Sequence, residues 1–160
     1  MPFSDKDILK KLHGLFVEKK LTLSVVESCT GGLVSNIITD LPGASEFFHA
    51  GMITYSNDSK SSLLSVKWTT IIKDGAISED VAKQMADGMR RLCKTNYSLA
   101  ITGNLGPVAM EGKDIGLIYF AVSSSEMTFS EEMRFKGTRK KIKKQAASYG
   151  LDLLYRIASS

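Results

Sequence analysis

The chain has 160 residues, 43% of them hydrophobic and 24% charged, which suits one globular domain over residues 1–160 and excludes the disordered class. Its net charge of +4 permits an anionic ligand without demanding nucleic acid. No apolar run is long enough to cross a bilayer, and the opening Met1-Pro2-Phe3-Ser4-Asp5 lacks the layout of a signal peptide, so a cytoplasmic protein away from membranes is expected.

Ser4 to Lys19 predicts an amphipathic helix, with Ser4 as cap, Asp7 three residues on, and Ile8, Leu12, Leu15 and Phe16 on one face. Leu21 to Val26 is short and apolar and predicts a buried strand, which runs into Glu27-Ser28-Cys29-Thr30-Gly31-Gly32. Leu33, Val34, Ile37 and Ile38 give helical spacing that Pro42-Gly43 ends. Phe47 to Tyr55 predicts a second strand, followed by a polar stretch from Ser56 to Lys60. Ser78 opens the next helix, with Glu79 and Asp80 in its first turn and Val81, Met85, Met89 and Leu92 as its inner face. Tyr97 to Thr102 predicts a third strand, Gly103 to Lys113 a loop, and Ile115 to Val122 a fourth strand. The polar turn Ser123 to Glu126 makes Met127 to Phe135 an antiparallel partner, and Thr138 caps a last helix carrying Ile142, Ala146, Tyr149, Leu153 and Ile157. Strands mostly alternating with helices predict a three-layer α/β/α sandwich with a mixed, mostly parallel sheet.

Ligands of such folds collect at the carboxyl ends of the strands, and three polar clusters fall there: 27–32, 55–60 and 102–107. In the first, a hydroxyl, a thiol and a hydroxyl precede a glycine pair that opens a helix, where backbone N–H groups attract an anion or a developing oxyanion. A plainer reading makes Thr30 a helix cap and the glycines packing residues. Ser28 and Cys29 compete as nucleophile: a helix N-terminus lowers a thiol's pKa, whereas a serine needs a base. Backbone alternation sends the two side chains to opposite sides, and the residues alone leave the choice open.

The second cluster offers Tyr55 and Lys60, the latter either a general base lowered by burial or a solvated loop lysine. The third, Thr102 to Pro107, reads as a phosphate-contacting loop or a simple turn. The basic run from Arg134 to Lys144 opens a helix and lacks interleaved aromatics, so it reads as a solvated face rather than a nucleic-acid surface, with Arg139 its best functional candidate. Two lone cysteines and two scattered histidines, His13 and His49, argue against disulfides and zinc.

Glu27 to Gly32, Pro42 to Ser45, Thr54 to Asn57 with Lys60, Gly75 to Glu79, Thr102-Gly103 with Gly106-Pro107, and Phe135 with Gly137 and Arg139 follow one another in an order that resembles the CinA C-terminal domain family, which includes nicotinamide-nucleotide amidohydrolases. The resemblance implies hydrolysis of the carboxamide of nicotinamide mononucleotide, giving nicotinate mononucleotide and ammonia. It implies Ser28 as nucleophile and Lys60 as base, with Tyr55 beside it, and no metal or cofactor. Thr30, Gly31, Gly32, Ser45, Thr102, Gly103 and Arg139 match substrate-binding positions, and Gly31 and Gly32 are placed to hold the oxyanion. It also implies a homodimer with a small nucleotide as partner. The chain departs from the family's pattern at Asn104-Leu105, at Val108 to Glu111, and at Thr138, where an acid is common. An altered loop over 104–111 is the basis of the alternative, a family member without catalysis that binds or regulates in competence or DNA repair.

Overall fold

A computed structural model of the chain describes residues 5–160. The elements run α1 (Asp5–Glu18), β1 (Leu23–Glu27), α2 (Leu33–Thr39), a 3-10 turn (Ala44–Glu46), β2 (Phe48–Ile53), α3 (Asn57–Leu64), α4 (Trp68–Asp74), α5 (Glu79–Cys93), β3 (Tyr97–Gly103), β4 (Leu117–Ser123), β5 (Thr128–Arg134) and α6 (Arg139–Ser159). The cap expected at Ser4 lies outside the described residues.

The sheet order is β2-β1-β3-β4-β5. β1 pairs in parallel with β2 and with β3, while β4 pairs antiparallel with both β3 and β5, so β4 alone runs against the other four. β1 is buried along its whole length, as a strand with neighbours on both edges and helices on both faces must be. Leu23, Val25 and Val26 are accordingly apolar, and the buried Ser24 hydroxyl pairs with that of Thr95 at 2.8 Å. β2, at the edge, alternates half-buried and exposed residues.

Side-chain alternation distributes the strands between two cores. Val25, Leu99, Ile101 and Phe120 face α1, α2 and α6, packing with Phe16, Ile38 and Ile142. Val26, Ala100 and Ala121 face the other way, against Leu64, Val66 and Ile71 and the α5 residues Val81, Met85 and Met89. Three layers result, as the sequence predicts. Leu92, expected on the inner face of α5, is instead 53% exposed because the helix's buried stripe ends a turn earlier.

The polar stretch after β2 is not a loop. Ser56 accepts a hydrogen bond from the Ser59 N–H at 3.1 Å and caps α3, and α4 follows, both on the α5 side of the sheet. β1's hydrogen bonding continues beyond its end on both sides, with the Ser28 N–H donating to the Ile101 carbonyl and the Thr54 N–H to the Glu27 carbonyl, each at 2.9 Å. The chain leaves β1 for β2 on one side and reaches β3 on the other, which opens a crevice at the carboxyl ends of these strands.

Candidate active site

The turn after β1 is held by Glu27, which is fully buried. Its carboxylate accepts from the Val34 N–H (2.9 Å), the Ser35 N–H (3.1 Å) and the Ser35 hydroxyl (2.9 Å). An anion at the first turn of α2 is favoured by the helix dipole and satisfies amides that have no partner within the helix. Glu27 thus takes the capping role expected of Thr30, whose buried hydroxyl has no hydrogen-bond partner among the described residues. The residue preceding the helix is Gly32, at φ 99°, a left-handed conformation that a side chain would strain. The Gly31 N–H donates to the Ser28 carbonyl at 3.1 Å, which removes it from the pair of amides expected to face an oxyanion.

Held between β1 and α2, Ser28 turns its hydroxyl toward Lys60, and the Lys60 Nζ lies 3.0 Å from Ser28 Oγ. The amine is also 2.7 Å from the Thr54 carbonyl oxygen and 3.4 Å from that of Tyr55. Lys60 is only 1% exposed. Burial, which penalises the ammonium form, pushes its pKa from 10.5 down to about 8, with Cys29 and Glu111 pulling the other way. In the neutral amine two N–H bonds serve the two carbonyls and the lone pair remains for the serine proton.

Cys29 goes the opposite way. It packs into the core shared with α1, α2 and α6, and burial pushes its thiol up to about 12. The expected lowering by a helix N-terminus is outweighed by desolvation, and a protonated thiol is a poor nucleophile.

Ser28, Tyr55, Lys60, Thr102, Gly103 and Arg139 line one cavity of about 210 Å³, so the three polar clusters do converge. Arg139, at the start of α6, donates to the Gly106 carbonyl at 2.5 Å and to the Tyr55 hydroxyl at 3.1 Å. The Thr102 hydroxyl donates to the Ala76 carbonyl at 2.9 Å. Thr30, Gly31, Gly32 and Ser45 are not in the cavity wall; Ser45 is exposed on the 3-10 turn. Leu105, one of the bulky residues of the altered loop, packs into the core at 3% exposure and forms part of the wall. The sequence reading assigns no role to Ala76, Ile77 or Glu111, which also line the cavity. Glu111 stands out in sequence only as a departure from the family's glycines.

The arrangement defines an α/β/α domain with a buried serine–lysine pair in a cavity at the carboxyl edge of its parallel strands. The chain belongs to the CinA C-terminal domain family, whose model matches residues 5–158. It is 42% identical over 154 residues to a CinA-like protein of Endomicrobium trichonymphae, covering 95% of this chain and 36% of the relative. It is 40% identical over 156 residues to a CinA-like protein of Leptospira interrogans, covering 96% and 37%. The chain therefore spans little more than a third of the length of these curated relatives.

Among solved structures, it is similar to a CinA superfamily protein from Enterobacter cloacae, with a TM-score of 0.95, 27% identity and coverage of 99% of this chain and 94% of that one. The competence/damage inducible protein CihA from Agrobacterium tumefaciens gives a TM-score of 0.93 at 29% identity, covering 100% and 98%. No helix among the described residues is long and apolar enough to cross a membrane.

Proposed function

We propose that the domain hydrolyses the carboxamide of nicotinamide mononucleotide through a serine–lysine acyl-enzyme. The observation that carries this reading is the 3.0 Å approach of the buried Lys60 amine to the Ser28 hydroxyl. Neutral Lys60 takes the Ser28 proton as Oγ attacks the amide carbon. The resulting ammonium gives that proton to the amide nitrogen, the C–N bond breaks, and ammonia leaves. Water then attacks the acyl ester, its proton passes to Lys60, and the returning proton restores Ser28. The main-chain N–H of Cys29, the residue after the nucleophile and one that lines the cavity, supplies an oxyanion contact in place of Gly31. Arg139 and Tyr55, at the cavity mouth, bind the nucleotide, with Thr102 and Gly103 behind them. The same reading carries a cytoplasmic homodimer with no metal or cofactor.

Ammonia release from nicotinamide mononucleotide tests it. Wild type and Cys29→Ala are expected to be active, and Ser28→Ala and Lys60→Ala to lose at least about a thousandfold in kcat. A folded wild type inactive on this and related amides refutes hydrolysis and turns attention to the binding role in competence or DNA repair.

A further inference from the structure

The cavity wall facing the Ser28–Lys60 pair includes a segment that nothing in the proposed chemistry uses. Glu111 stands in the loop between β3 and β4 at φ 57°, a left-handed conformation that costs a non-glycine residue free energy unless its surroundings hold it. Its carboxylate accepts from the Ala76 N–H at 2.8 Å and from the Ile77 N–H, whose distances to its two oxygens are 3.3 and 3.2 Å. Lys113, from the same loop, donates to the carbonyls of Asp74 and Ile77. The segment from Asp74 to Ile77 is in turn fastened to the catalytic edge by the hydroxyl of Thr102. At Gly75, φ 81°, an added Cβ would overlap both oxygens of the Glu111 carboxylate, so the glycine makes room for the contact.

We infer that Glu111 is a positioning residue that latches the 104–113 loop onto the 74–77 connector and sets its negative charge in the wall of the cavity that holds Lys60. This inference rests on the proposed hydrolysis at Ser28. The ionisable residues that line the cavity with Lys60 are Cys29, whose thiol packs into the core, Tyr55, Glu111 and Arg139, and the Lys113 ammonium lies 3.8 Å from the Glu111 carboxylate. Glu27 lies behind the turn and is engaged with α2. Glu111 is the carboxylate in that wall, and its charge favours the protonated amine; the latch therefore shapes the wall and keeps Lys60 from losing its proton too readily for the return step.

Amide hydrogen exchange and the rate at which an alkyl fluorophosphonate labels Ser28, followed against pH, test the inference in wild type and three variants. Glu111→Ala removes the latch, Gly75→Ala blocks it while keeping the carboxylate, and Glu111→Gln keeps the shape without the charge. The first two are expected to speed exchange at Ala76 and Ile77 by about tenfold, the effect of one ordinary hydrogen bond, with β1 and β3 unaffected, and to slow labelling. Glu111→Gln is expected to retain more of the protection yet move the acidic limb of labelling to lower pH, a shift that a purely structural tie would not produce. Unchanged exchange at Ala76 and Ile77 in Glu111→Ala overturns the latch. Faster exchange with unaltered labelling and pH profile overturns the positioning role. A wild type inert to the phosphonate defeats hydrolysis itself and the positioning role with it, whereas a reactive wild type with indifferent variants defeats only the inference about Glu111.

Discussion

A lysine ammonium withdrawn from water loses hydration that a few oxygen acceptors replace only in part. Lys60 is in that position, with the Ser28 hydroxyl and two main-chain carbonyls around it. Its pKa is lowered on folding, from 10.5 to about 8, so the charged form is penalised in the native state. Below pH 8 the amine is protonated both folded and unfolded and the full cost applies; between 8 and 10.5 the folded state sheds the proton first and stability recovers. A shift of this size corresponds to roughly 3 kcal/mol. Lys60→Met is therefore expected to be more stable than wild type at pH 7, with the gap closing as pH rises toward 10.5, as read from denaturant midpoints. The proposed hydrolysis has the opposite interest in the same proton: it needs the free amine, so kcat is expected to climb with a midpoint near pH 8. A flat profile from pH 6 to 9 would argue that another group serves as base. Lys60 also explains a difficulty in the sequence. The residue pointing inward one turn into α3 is a charged one, so the segment reads as a polar loop although Ser56 marks a helix start.

At the scale of elements, the turn between β1 and α2 owes its shape to Glu27 more than to its glycines. Three donors converge on a fully buried carboxylate, and removing it strands two backbone amides and a hydroxyl. Glu27→Ala is expected to cost about 2–4 kcal/mol in urea unfolding and to disorder Ser28 with it. A loss below half of one kcal/mol would show that water replaces the carboxylate. The strands were legible because burial leaves its mark on composition: β1 carries Leu23, Val25 and Val26, and β4 is hydrophobic from Leu117 to Val122. α5 and α6 were legible from caps, with Ser78 accepting from the Val81 N–H and Thr138 from the Lys141 N–H. α4 was not. It is 7 residues long, opens at Lys67 without a side-chain cap, and buries only Ile71 while Trp68 and Ile72 remain exposed, which leaves no periodic stripe to read.

For the whole molecule, convergence of the three clusters followed from a single topological rule about where parallel strands end, and it needed no side-chain detail. The exchange of roles among neighbouring residues did. Thr30 and Glu27 differ in who caps the helix, and Ser28 and Cys29 in who faces the cavity, and each outcome turns on the path of the backbone through the turn, which a string of letters does not record. The basic run at the head of α6 is for the most part an exposed face; Arg139, its member in the cavity wall, is set apart by reaching Gly106 and Tyr55. α6 also contributes Ile142, Ala146 and Leu153 to the core, each at 1% exposure or less. A chain cut after residue 137 is accordingly expected to lose cooperative unfolding in circular dichroism.

Arg139 has a consequence for how the cavity is assembled. Its wall draws on side chains spaced from Ser28 to Arg139, and Arg139 stands at the head of α6. Ser28 and Lys60 meet through β1 and α3, yet the wall around them is complete only when α6 has settled onto the sheet. A change that loosens α6 thereby reaches the cavity without touching either residue.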